Sequence, residues 1–293
     1  MFKGFFLFIF IFSLASLCFG LDWISIHEMA DALSPAEIEK LLESNQDISE
    51  GLYLSGLVYL NRHKEFEAKE AFKAMLEKDP QSVEAQWGLA EVLRRDKDIE
   101  ASGKMLNKVI EADPQFWPAY ITLAYLKYTQ ADFDGAVRLA LKVRSQGRKR
   151  VDLSNYTRSY LIFAGAKGMI ASTGGPFSKL INGTQVLPNL KKAEKLQPDS
   201  VAVLFGLGSF YFLAPGIAGG SIEKAIYYLE RAVEEDPLFA DAYVRLAQVY
   251  KAKEDIAKYR HYLDKAKEVD PENELLQDEK TGMCKFNCVT VKE

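Results

Sequence analysis

Three histidines, His27, His63 and His261, are the side chains of this 293-residue sequence best suited to moving protons or holding a metal near neutral pH. They stand in separate segments, and no HExxH pattern follows any of them, so the paired ligands of a zinc protease helix are missing. No GK[ST] phosphate loop, GxSxG nucleophile turn or dinucleotide fingerprint occurs. The pairs Gly174-Gly175 and Gly219-Gly220 do not substitute, because neither follows a strand pattern. Cys284 and Cys288 offer half of a zinc ligand set with no histidine beside them, so the expectation is a small terminal disulfide or two idle thiols rather than a metal site. Carboxylates are plentiful, but Asp79, Asp113, Asp236 and Asp270 recur at regular intervals, as structural residues do. The sequence therefore predicts no catalytic residue, no cofactor and no metal: a protein that holds something rather than one that transforms it.

The elements that would do the holding begin behind an N-terminal segment. Lys3 precedes the apolar block Phe5 to Phe12, and small residues follow it. This is the pattern of a secretory signal peptide, and it is shorter than a spanning helix requires. Cleavage after Gly20 is expected, with lipidation at Cys18 and a retained membrane anchor as lesser alternatives. The mature protein is then expected outside the cytosol, in the periplasm or at the cell envelope, where Cys284 and Cys288 meet oxidising conditions. Hydrophobic residues make up 48% of the sequence and charged residues 27%, enough for a packed core. The net charge of -4 argues against nucleic acid as a partner.

Beyond residue 20 the sequence repeats itself. Asp-Pro pairs end at Pro80, Pro114, Pro237 and Pro271, and the first two and last two prolines are each 34 residues apart. Pro198, after Gln197, fills the same place. Between these prolines, small and large apolar residues alternate at helical spacing: Gly56, Tyr59, Ala68 and Phe72, then Leu89, Ala90 and Leu106, then Leu123, Ala124 and Ala136. In the last unit Tyr243, Leu246, Ala247 and Tyr250 form one stripe, with Leu263 and Ala266 on a second helix. Each helix is amphipathic and must stack on its neighbours to bury its stripe. Glycine within a helix costs about 1 kcal/mol against alanine, so Gly56 and Gly208 predict close helix approach. A period of 34 with these residues resembles the tetratricopeptide repeat family across roughly residues 49–271. The resemblance implies an all-α, right-handed superhelical solenoid of about six helix pairs. Residues 21–48 would form N-terminal capping helices, with a capping box at Ser34-Pro35-Ala36-Glu37, and residues 272–293 a C-terminal tail.

The 34-residue pattern is interrupted near residues 172–188 and 213–221, and both insertions carry a Gly-Gly pair. Glycines and prolines in the first of them are expected to break the helix. Equivalent turns of neighbouring repeats stack on one edge, so Gly174, Gly175, Phe177, Ile181, Pro215, Ile217, Gly219 and Gly220 are one candidate binding edge, unless the apolar members simply pack down on adjacent helices. The second candidate is the concave surface. The family resemblance places the first helix of each pair there, which gives Tyr53, Leu57, Trp87, Glu91, Ile121, Tyr125, Tyr128, Phe205, Phe212 and Val244, with Leu57 and Val244 better suited to packing between repeats. An aromatic groove of this kind suits a protein or peptide partner. The basic run from Lys142 to Arg150 reads as a solvated linker or a contact for an acidic partner or anionic lipid. The leading expectation is a non-catalytic exported adaptor for protein–protein interaction. The alternative is a small-ligand carrier similar to the T component of TRAP-type transporters, with a hydrophobic ligand enclosed beneath the two insertions.

Overall fold

Short polar side chains start the helices. Asp98, Asp132, Asp152 and Asp255 each accept a hydrogen bond from the backbone N–H three residues on, at 2.9–3.1 Å, and Ser82 and Ser221 do the same at 3.2 and 3.3 Å. The recurring aspartates stop them. Asp79, Asp113, Asp236 and Asp270 lie just past the second helix of a pair, and each accepts from the backbone N–H two residues on, at 2.8–3.0 Å. They turn the backbone into the next pair, a structural role as expected.

The computed structural model describes residues 22–33, 37, 40 and 49–282. The signal segment with Cys18, Gly20 and its cleavage site, the start of the capping box at Ser34, and Cys284 and Cys288 lie outside these residues. Helix α1 (Trp23–Ala32) comes first. Six helix pairs follow: α2 (Ser49–Asn61) with α3 (Glu65–Lys78), α4 (Val83–Arg95) with α5 (Ile99–Ala112), and α6 (Trp117–Thr129) with α7 (Phe133–Arg144). Then α8 (Leu153–Thr173) pairs with α10 (Val186–Leu196) around the inserted α9 (Pro176–Gly183). The last two pairs are α11 (Val201–Leu213) with α12 (Ile222–Glu235), and α13 (Ala240–Ala252) with α14 (Ile256–Val269), and α15 (Glu274–Thr281) closes the stack. No strand occurs among the described residues. The expected all-α solenoid of six pairs is the observed architecture.

Small residues let the pairs interlock. A Cβ on Gly56 or on Gly88 would sit 2.4 Å from the Phe72 ring, so that ring from α3 is wedged between glycines of two successive first helices. A Cβ on Gly208 would lie 2.6 Å from Leu229. The turn inside four of the pairs holds one non-glycine residue in the left-handed region: His63, Lys97, Ala131 and Glu254, with φ of 54–65°. In the fourth and fifth pairs the two insertions replace this turn. In the first, short breaks at Gly174-Gly175 and at Thr184-Gln185 interrupt the helix, and Pro176, unlike the helix breaker expected, begins α9 because a proline at a first helical position needs no N–H and has its φ preset.

The superhelix curls until its ends touch. His63 Nε2, in the turn of the first pair, is 2.8 Å from Asp236 Oδ2 after the fifth. Lys97 Nζ, in the turn of the second, donates to the Glu272 carbonyl at 2.7 Å and lies 3.8 Å from Asp270 Oδ2 after the sixth.

Candidate functional site

Helix α1 carries Trp23, Ile26, His27 and Ala30 on one face, at the three- and four-residue spacing of an amphipathic stripe. That face is pressed into the concave surface. His27 is buried, with its ring 5.6 Å from Tyr53 and 5.1 Å from Trp87, while Trp23 meets Phe116 edge-on at 5.2 Å. Asn155 Nδ2 donates to His27 Nδ1 at 3.5 Å, which leaves Nε2 to donate to the Tyr53 hydroxyl at 2.6 Å. Burial lowers the His27 pKa, against the opposing field of Asp152. Polar contacts at the rim hold the helix in place: Arg148 donates to Glu28 at 2.8 Å, and the Ser154 hydroxyl donates to Asp31. The basic run thus contributes to structure. Arg144 also binds Asn189 Oδ1 at 2.7 Å over the Phe163 ring, whereas Lys149 and Arg150 are exposed.

The occupancy of the groove by α1 changes the status of the candidate residues. Tyr53, Trp87 and Glu91, expected on an open surface, are buried, because α1 and the neighbouring helix cover them. Trp87 Nε1 donates to Thr122 Oγ1 at 3.1 Å, and the Thr122 hydroxyl donates to Glu91. Glu91 also accepts from Arg94 at 2.8 Å, and Arg158 lies at 3.7 Å. Burial alone would raise its pKa, but Arg94 foremost, then Arg158 and Arg95, hold this carboxylate well below the usual range. Leu57, Ile121 and Val244 are buried in the packing, and so is Phe212, while Phe205 packs edge-on against Phe239 at 5.2 Å. Tyr125 and Tyr128 remain partly exposed on the concave side, with the Arg94 guanidinium 5.0 Å over the Tyr125 ring. Burial raises the pKa of both phenols, that of Tyr128 to about 12.

The second insertion lies against the start of α10, where a Cβ on Gly219 would be 3.8 Å from Leu187. Its glycines have geometric work: Gly219 has φ +96°, a Cβ on Gly220 would strike the Ala214 carbonyl at 1.9 Å, and one on Gly174 would strike Ser178 at 2.3 Å, whereas Gly175 has open space. Phe177 is 82% exposed, and Ile181, Pro215 and Ile217 also face solvent. Both Asn-x-Thr sequons fall in this half of the molecule: Asn155 is buried and donates to Asp152 at 2.8 Å, and Asn182 accepts from Lys167 at 2.9 Å. Among the described residues, no group of three or more His, Cys, Asp or Glu is placed to hold a metal ion.

Sequence reading missed α1 as a groove occupant, together with Arg94, Arg158 and Arg245. The Trp23-x-x-Ile26-His27-x-x-Ala30 stripe was the available signal for the helix.

Residues 67–124 and 240–273 match tetratricopeptide repeat family models, so the chain carries tetratricopeptide repeats near both ends of its stack of six helix pairs. A search of curated proteins finds no sequence match. Among solved structures it is similar to the Cut9–Hcn1 hetero-tetramer of APC/C, with a TM-score of 0.59 and 15% identity, over 87% of this chain and 46% of that one. It is also similar to human IFIT1, solved as a dimer with m7Gppp-AAAA, with a TM-score of 0.57 and 19% identity, over 83% of this chain and 58% of that one. At these identities the likeness is one of fold.

Proposed function

We propose that this protein is an exported, non-catalytic scaffold that holds a protein or peptide partner on its concave surface, in the periplasm or at the cell envelope. One observation carries the binding half of this reading: the concave surface already holds a helix, α1, through edge-on and tilted aromatic contacts, a buried histidine and two rim contacts. Helix-in-groove recognition uses the same chemistry between proteins. Beside α1 the surface continues through Tyr125, Tyr128 and Arg158, which keep partial exposure. Export is supported by the apolar block from Phe5 to Phe12 and the small residues after it.

The test is photo-crosslinking in cells with a benzoyl-phenylalanine placed at Tyr125, compared with one at Phe66 on the outer helix α3. The expected result is a discrete protein adduct from position 125 in the envelope fraction. Equal adducts from both positions would sink the concave site, and recovery of the protein from the cytosol would sink export.

A further inference from the structure

Helix α9 is mounted on the protein by its polar face. Ser178 Oγ donates to the Ile170 carbonyl at 3.0 Å, and Asn182 Oδ1 accepts from Lys167 of α8 at 2.9 Å. The apolar side chains point the other way: Phe177, Leu180 and Ile181, at the spacing of one helical stripe, are 82%, 64% and 59% exposed. A helix on a protein surface draws most of its stability from burying such a stripe, and here the stripe is left bare.

The second insertion repeats this arrangement on a fastened turn. Ile217 is fully exposed in the 3₁₀ turn Gly216–Ala218. The Ala218 and Gly220 N–H groups donate to the Pro215 carbonyl, and the Gly219 N–H to that of Gly216, at 2.8–3.1 Å. A loop that packed down on adjacent helices would hide this side chain. The turn meets the start of α10 at Leu187, and α9 runs into that same start, so both projections share one edge.

Charge sets the two insertions apart from the rest of the chain. The sequence has 41 acidic residues, yet residues 153–193 and 200–222 hold none. The first stretch carries Arg158, Lys167, Lys179, Lys191 and Lys192, and Lys179 is exposed among the apolar side chains of α9. The equivalent turns of the flanking pairs do carry carboxylates, Asp132 on one side and Glu254 and Asp255 on the other, and Glu223, just past the second insertion, is followed by Lys224.

We propose that the two insertions form a membrane-docking edge, in which Phe177, Leu180, Ile181 and Ile217 enter the interfacial layer of a bilayer and Lys179 meets its anionic headgroups. Apolar side chains raised on projections suit a fluid that closes around them, whereas a protein partner or a second copy needs a preformed pocket for each. An acid-free margin with an exposed lysine complements anionic lipid. With eight residues α9 is too short to span a bilayer and lies in its surface plane. Docking here is independent of what the concave side holds.

The experiment places dansylalanine, whose emission reports polarity, singly at Phe177, at Ile217 and, as a control, at the exposed Phe66 of α3 in the full-length protein. Vesicles of equimolar phosphatidylethanolamine and phosphatidylglycerol are then added. A blue shift is expected at 177 and 217 and none at 66. Read at 217, Leu180→Ser/Ile181→Ser should raise the lipid concentration for half-binding at least about tenfold, and Lys179→Glu at least about fivefold. A chain held only through Phe5 to Phe12 would leave 177 and 217 unshifted, which overturns the edge. An equal shift at all three positions overturns it as well. A shift at 177 that grows with protein concentration in the absence of vesicles overturns it in favour of a second copy. Because the substituted side chains are exposed, circular dichroism should be unchanged in every variant.

Discussion

His63 and Asp236 are 173 residues apart in sequence and 2.8 Å apart in space, so the first helix pair is joined directly to the end of the fifth. With Lys97 on Glu272 and Asp270 beside it, this contact turns an open superhelix into a closed one. His63 and Lys97 occupy equivalent left-handed turn positions, which project them away from their own helices.

The closure should respond to pH. Hydrogen bonding to Asp236 raises the His63 pKa above 6.5. Burial opposes ionisation of Asp236, but the bonds from His63 and from the Leu238 N–H, with the charges of His63 and Arg95, together outweigh it and lower its pKa below 3.8. The histidine's contribution is complete below 6.5 and is lost as pH rises through its raised value; the aspartate's is complete above 3.8 and is lost as pH falls through its lowered value. Closure is therefore strongest from about pH 4 to 6.5. The pair is partly exposed, so its contribution stays under about 1 kcal/mol. Small-angle scattering should show the radius of gyration rising above neutral pH in the wild type and not in Asp236→Asn.

His27 should behave in the opposite sense. Burial lowers its pKa, so the seated α1 resists protonation that the released helix accepts near 6.5. Docking is complete above that value and weakens as pH falls below it, towards the depressed pKa. Fluorescence of a probe on α1 should report release under mild acid, and His27→Gln should flatten the profile.

Glu91 anchors the charges beneath α1. Glu91→Leu removes the acceptor of Arg94 and the neighbour of Arg158, and leaving such charges unpaired costs roughly 3–5 kcal/mol. Urea denaturation should show this loss, and Arg94→Met in the same protein should recover part of it.

The glycine wedge makes a sharper mechanical prediction. In Gly56→Ala or Gly88→Ala the new methyl meets the Phe72 ring, 2.4 Å away before any relaxation. Overpacking costs about 1–3 kcal/mol, against roughly 1 kcal/mol gained in helix propensity. Net destabilisation is expected, with Phe72→Leu relieving it in the double variant; an unchanged or higher melting temperature would rule the wedge out.

What the sequence disclosed follows from how local each feature is. Pro80, Pro114, Pro237 and Pro271 mark the repeat because every unit must end its second helix at the same place, and Gly56 and Gly208 show where helices touch. The second insertion's turn was equally readable from Gly219 and Gly220. Pro176 misled, because proline interrupts a helix from within and initiates one from its first position. The placement of α1 was not readable, since His27 meets Asn155, 128 residues away, only after four repeats have curved the groove around it. Closure is harder still: it depends on the small rotation that each repeat adds, and no single residue spacing records their sum.

Because only residues 33–48 separate α1 from α2, the seated helix is a ligand that never diffuses away. Attachment through so few residues sustains an effective concentration of roughly millimolar for α1 at its seat. A free helix of equal intrinsic affinity, supplied at micromolar concentration, would displace α1 from its half of the groove in only about one molecule in a thousand. A partner therefore has to contact the surface at Tyr125 and Arg158 as well, or arrive once α1 has been released, and cutting the chain between α1 and α2 would convert a permanent competitor into a dilutable one.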